Sequence, residues 1–172
     1  MNKSEREARN LLASIGVLGP PILVDDIAAQ LGVQLSREPV SPHISGLLFR
    51  DEQRCIIGLN ARNSRQRQRF TIAHELGHFL LHEGELILDT SARMNWRDDT
   101  SSLATEAQEI QANAFAAELL MPESMVRRSW EKLSIQGRRA AEPLIRELAA
   151  EYDVSLQAMQ YRLMNLSLLM PA

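Results

Sequence analysis

Apolar positions change their spacing several times along the chain, and each change marks an element. Residues from about Ser4 to Ser14 carry Leu11 and Leu12 on one helical face, and Gly16, Gly19, Pro20 and Pro21 end that helix. A second short helix has Asp25 or Asp26 as its cap and Ile27, Ala28 and Leu31 as its stripe, with Gly32 placed to close it. Short apolar runs follow at Val33 to Leu35, Ile44 to Phe49 and Cys55 to Leu59, with Asp51-Glu52-Gln53 as a hairpin turn. They predict a small, largely antiparallel sheet.

From Ser64 to His82 the period becomes helical. Phe70, Ala73, Leu76, Gly77 and Leu80 fall three or four apart and leave His74 and His78 on a neighbouring stripe. Residues 83–104 mix Gly, Ser, Thr, Asn and Asp with scattered apolar positions, which predicts a long loop with room for one short strand at Leu86-Ile87-Leu88. A further helix runs from about Thr105 to Leu120 and stops at Met121-Pro122, with Ala107, Ile110, Ala114 and Ala117 as its expected buried row. Two or three more helices fill residues 123 to 166. The expected architecture is α+β: a small antiparallel sheet packed on helices in residues 1–122, and a helical extension, 123–172, on the same body.

Composition narrows the function. The chain has 172 residues, 45% of them hydrophobic and 24% charged, which suits a folded domain without covalent staples. Its net charge of -3 lacks the basic footprint of a dedicated nucleic-acid binder, so direct nucleic-acid contact is not expected. No apolar run follows the N-terminal charges and none approaches the length of a membrane span. The lone Cys55, in an apolar run, fits a reducing compartment. A cytoplasmic protein without membrane partners is expected.

His74-Glu75-Leu76-Gly77-His78 matches H-E-x-x-H, in which two imidazoles one helical turn apart can reach a single metal ion. A catalytic zinc site needs a third protein donor and keeps a fourth position for water. His82 stands two turns from His74, about 12 Å along the axis, too far to share that ion. The extended pattern that adds a third histidine also fails, because Leu81 and Gly84 occupy its Gly and His places. That leaves Glu106 and Glu109 on the next helix. Glu109, on a stripe with Asn113 and Ala116, is the choice, against the competing reading of a solvated charge; Glu106 and Glu118 are taken as surface groups.

The blocks Arg69-Phe70-Thr71-Ile72-Ala73-His74-Glu75-Leu76-Gly77-His78 and Glu109-Ile110-Gln111-Ala112-Asn113-Ala114-Phe115-Ala116-Ala117-Glu118-Leu119-Leu120-Met121-Pro122 together resemble the ImmA/IrrE family of metallopeptidases. The likeness extends over the N-terminal helices, the small sheet and the Val154-Ser155 to Leu163 segment. It implies a zincin-like fold of the gluzincin type, with His74, His78 and Glu109 as zinc ligands and Glu75 as catalytic base. It also implies a protein substrate, commonly a helix-turn-helix repressor of the Xre type. Tyr152, Tyr161 and His43 are all available to stabilise an oxyanion, and no spacing selects among them.

Two weaker patterns compete with this reading. Arg62, Arg65, Arg67 and Arg69 crowd the start of the central helix, as an anion patch or as a carboxylate-paired face. Residues 148–163 have a helix-turn-helix cadence, with Ser155 as a cap and Gln157, Gln160 and Arg162 on the second helix. The alternative function is therefore a DNA- or regulator-binding protein of a toxin-antitoxin or phage-type module, with a structural or vestigial metal site.

Overall fold

The computed structural model describes residues 2–83, 86–90, 105–135 and 141–170. Helix α1 (Lys3–Ser14) starts from a reciprocal capping box, in which the Asn2 side chain accepts from the Glu5 N–H and the Glu5 carboxylate accepts from the Asn2 N–H. Its inward face is Ser4, Ala8 and Leu12. Helix α2 (Val24–Gln30) begins one residue before the expected aspartate caps: Leu23 is its N-cap, and Asp25 and Asp26 lie in the first turn. There they still favour the positive end of the helix dipole. Gly32, at φ +73°, takes the left-handed conformation just beyond the C-cap Leu31.

Four strands follow: β1 (Gln34–Glu38), β2 (Ile44–Arg50), β3 (Cys55–Asn60) and β4 (Leu86–Thr90), in the order β1-β3-β2-β4. The predicted hairpin joins β2 and β3, its turn held by Asp51, whose Oδ1 accepts from the N–H groups of Gln53 and Arg54. The expectation of an antiparallel sheet is corrected at one edge, because β1 pairs with β3 in parallel. The chain leaves β1, passes the slot that β3 will fill, and runs back as β2. The hairpin then returns β3 into the slot in the direction of β1. Buried Asn60 clamps this crossover by donating to the carbonyls of Val40, Ser41 and Ile44 at 3.4, 3.1 and 3.0 Å. Strand β4 realises the short strand allowed within the long loop, and residues 91–104 of that loop lie outside the described residues.

Helix α3 (Arg65–Leu81), capped by Ser64, runs through the middle of the molecule. It is buried continuously from Thr71 to His78, so polar residues in that stretch face protein on every side. Sheet strands β2 and β3 cover one flank, and helix α4 (Glu106–Leu120), started by a Thr105–Gln108 capping box, covers another.

The buried row of α4 is Ala112, Phe115, Ala116 and Leu119, not the predicted one: Ile110 is 63% exposed and Ala107 is exposed. Alanines occur on every face of this helix, so periodicity could not single out the inner one. Glu118, expected on the surface, is 1% exposed. It accepts from Arg9 at 2.7 Å and from Arg162, itself 5% exposed.

Three further helices, α5 (Glu123–Ile135), α6 (Ala141–Glu151) and α7 (Leu156–Asn165, capped by Ser155), complete the described chain. Tyr152, Met159 and Leu163 belong to the same hydrophobic cluster as Ile22, Leu48 and Ile72, so residues on both sides of Pro122 share one core.

Candidate metal centre

The H-E-x-x-H segment occupies the buried middle of α3, and two glycines make the room it needs. A Cβ at Gly77 would meet the Ala112 Cα at 3.1 Å and the Phe115 Cδ1 at 3.2 Å. The backbones of α3 and α4 therefore touch there, a close approach that only a residue without a side chain permits. On the opposite flank, a Cβ at Gly46 of β2 would collide with Thr71 Cγ2 and lie 3.3 Å from Glu75 Oε1. Glu75, fully buried, thus turns its carboxylate toward the sheet beside Gly46.

The close contact at Gly77 brings the first turn of α4 over the histidines. His74 Nε2 and His78 Nε2 are 3.0 Å apart. Glu109 completes the triangle, with Oε2 3.3 Å from His74 Nε2 and Oε1 3.1 Å from His78 Nε2. Donor bonds to zinc of about 2.0–2.2 Å give a tetrahedral edge of roughly 3.3 Å or slightly more, so these separations fit one small ion after expansion by a few tenths of an ångström. Two imidazoles and a carboxylate are also a donor set that zinc accepts. Burial raises the Glu109 carboxyl, but hydrogen bonds and charge from His74 and His78 outweigh it and hold the pKa at about 2. The group is an anion at any pH near neutral.

The outer ring nitrogens of both histidines meet side chains that orient the rings. His74 Nδ1 lies 3.1 Å from Asn113 Oδ1, a contact that orients the ring with Nε2 toward the cluster. His78 is fixed through a longer chain. Gln111 Oε1 lies 2.9 Å from His82 Nε2. His82 Nδ1 is 3.0 Å from His78 Nδ1, so Gln111 and His82 together orient the His78 ring. Burial pushes the His82 pKa below the usual imidazole value, against the raising hydrogen bond to Gln111.

A family profile, Peptidase M78, described as the IrrE N-terminal-like domain, matches residues 28–164. The chain belongs to this family. Over 114 residues it is 32% identical to the radiation response metalloprotease IrrE of Deinococcus radiodurans, a match covering 66% of this chain and 32% of that protein. A transcriptional regulator of Mycobacterium tuberculosis shares the fold with a TM-score of 0.60 at 17% identity, over 95% of this chain and 47% of that one. The chain thus spans about a third and about half of the lengths of these two relatives.

Within this IrrE-like domain the remaining sequence candidates separate clearly. Glu106 is exposed and stays out of the cluster formed by His74, His78 and Glu109. Tyr152 is fully buried with its hydroxyl 3.2 Å from Ser129 Oγ, and burial raises its pKa to about 12. It is a core group that cannot reach a reacting carbonyl. His43 is exposed in the connection before β2, and Tyr161, 58% exposed, borders a groove described below.

The arginine cluster is largely tied down. Arg65 bonds Asp153 at 2.7 Å, Arg69 bonds the Asp153 carbonyl at 3.0 Å, and Arg67 bonds Ser45 Oγ at 2.8 Å. The helix-turn-helix cadence is realised as α6 and α7, yet Arg162, one of the side chains offered for DNA, points into the core at Glu118 and the Met121 carbonyl. Sequence reasoning assigned no role to Asn113 or Gln111. Asn113 stands one turn beyond Glu109, and that spacing was the available signal.

Proposed function

We propose that the chain is a zinc-dependent endopeptidase of the gluzincin type, with His74, His78 and Glu109 as ligands and Glu75 as catalytic base. The observation that carries the reading is the convergence of three metal-competent atoms from two helices, with Asn113 and His82 in contact with the outer nitrogens of the two imidazoles. Membership in the IrrE-like family and identity to a protein named a metalloprotease support it.

Zinc, when bound, supplies a Lewis acid that polarises a peptide carbonyl and brings the pKa of a coordinated water toward about 7. The protein's own part is positional and protonic. Asn113 and His82 orient the two imidazoles, and Glu109 contributes the negative charge that favours a cation at this point. Glu75 takes the proton of the attacking water and delivers it to the departing amine, serving first as base and then as acid.

Residues 1–122 form the catalytic part in this reading and 123–172 a helical extension packed upon it. The substrate is a protein in the cytoplasm, of which an Xre-type helix-turn-helix repressor encoded nearby is the proposed example. Strand addition along the small sheet would present its backbone. The DNA-binding alternative loses support from Arg162, which is spent on core ion pairing.

The test is metal analysis of the purified chain together with incubation of the neighbouring repressor, with and without chelator. Zinc at one equivalent and cleavage that chelation abolishes are expected. Glu75→Gln should retain zinc and lose cleavage. Tight complex formation with an intact repressor, unchanged by added zinc, would replace this proposal with the regulator-binding one.

A further inference from the structure

The donor stripe of α3 continues beyond the metal centre: Arg67, Phe70, His74 and His78 follow one another at spacings of three and four, so they share a face. The matching stripe of α4 is Glu109, Asn113 and Ala117. At the far end of both stripes, away from Glu109, a cavity of about 530 Å³ opens between α3, α4 and α7. Asn113 both orients His74 and lines this cavity, and Phe70 lines it while stacking on the His74 ring at 6.2 Å. The cavity therefore adjoins the candidate metal centre, with Asn113 and Phe70 between them.

Its lining includes the apolar side chains of Ala117, Met121 and Val154, with Ala158 and the exposed Tyr161 from α7, beside polar groups such as Gln66 and Gln157. Among the described residues no carboxylate lines it, whereas Arg67 does, together with Arg162, whose charge is paired with Glu118. Arg67 is held over the Phe70 ring at 5.9 Å and by Ser45 Oγ, which places a fixed positive charge in the wall. Such a space accepts an apolar side chain with its flanking backbone carbonyls and disfavours lysine or arginine.

We propose that this groove is the specificity subsite for a large apolar residue, of the size of Leu, Met or Phe, next to the scissile bond of the peptide substrate, with one wall supplied by α7. The inference rests on the peptidase reading for its position next to the bond cleaved, and its own content is the chemistry of the residue bound. The C-terminal helix then has a direct part in substrate choice.

The decisive experiment offers the zinc-loaded full chain a pool of decapeptides degenerate at every position and sequences the products. Enrichment of Leu, Met or Phe at one position beside the cut is expected, with Lys and Arg depleted there. Ala158→Phe, which fills the groove from α7, should shift that position toward Ala, changing the Leu-to-Ala ratio of kcat/KM by about ten-fold or more while zinc content is retained. Tyr161→Ala removes a wall from an exposed position, serves if the first variant does not fold, and should weaken the same preference. An unchanged preference in a folded variant overturns the subsite.

A binding measurement separates this outcome from failure of the peptidase reading. Acetyl-Ala-Leu-Ala-amide should shift the methyl resonances of Ala117 and Ala158 saturably, and acetyl-Ala-Lys-Ala-amide should not. Those shifts without any cleavage would retain the apolar site and remove the peptidase reading. Cleavage without the shifts would do the reverse.

Discussion

Glu118→Ala should be among the most damaging single substitutions outside the metal centre. The carboxylate is 1% exposed, and it accepts from Arg162 and Arg9 and from the Glu123 N–H at 3.2 Å, at the entry to α5. Removing it leaves the buried Arg162 guanidinium with its Nε bond to the Met121 carbonyl but no counter-charge from α4. Breaking a buried pair from one side costs about 3–5 kcal/mol, a large share of the roughly 5–15 kcal/mol that holds such a domain folded. At about 2–4 °C per kcal/mol for a chain of this size, the melting temperature should fall by roughly 6–20 °C. Urea unfolding followed by circular dichroism measures the loss directly. Two companions isolate the cause. Glu123→Ala removes a carboxylate whose side chain is 33% exposed and should cost less than about 1 kcal/mol. Glu118→Met combined with Arg162→Met should recover much of the stability, because an apolar pair carries no desolvated charge. A Glu118→Ala variant within about 1 kcal/mol of the parent, or no worse than Glu123→Ala, would refute the reasoning.

Three other outcomes follow from the geometry. Gly77→Ala inserts a methyl into contacts of 3.1–3.3 Å with α4, so the roughly 1 kcal/mol gained in helix propensity is offset by about 1–3 kcal/mol of overpacking. As α4 yields, Glu109 moves; zinc affinity, read by competition with a chromogenic chelator, should drop about ten-fold, and an unaltered affinity would show that the helix contact does not set the site. His82→Ala and Gln111→Leu each break the chain of contacts that orients the His78 ring, and each should weaken zinc binding by about 10- to 100-fold with helicity intact; parental affinity in both would dismiss the relay. Tyr152 has its folded pKa raised from 10 to about 12 by burial, so its stabilisation is complete below pH 10 and disappears as pH climbs through that window. Tyr152→Phe, which cannot ionise, should show the flatter decline in urea midpoint between pH 10 and about 12, and parallel declines would contradict the shift.

How much of this could be read in advance differs from element to element. Helix α3 and the segment His74–His78 were legible because a helix places residues four apart on one face whatever surrounds it, and the strands were legible from their short apolar runs. Glycine and the small residues of α4 hinted that two helices meet. None of those local signals specifies a partner. Strand periodicity does not tell β1 whether it will lie beside β2 or β3, which is why the parallel edge came as a correction. An alanine-rich helix has no preferred apolar face, so the inner row of α4 and the burial of Glu118 depended on what packed against it.

The amino-acid order by itself determined the chemistry on offer: two imidazoles at helical spacing, an acid beside the first of them, and a short list of distant carboxylates. Tertiary structure decided which carboxylate arrives, because the contact at Gly77 brings Glu109 to 3.1–3.3 Å of both imidazoles and leaves Glu106 exposed. It also decided that His82 meets the His78 ring at Nδ1, and that Asn113 both contacts His74 and lines the groove beyond it. Local sequence governs backbone period and side-chain type over a few residues, whereas convergence of groups far apart in the chain is a property of packing.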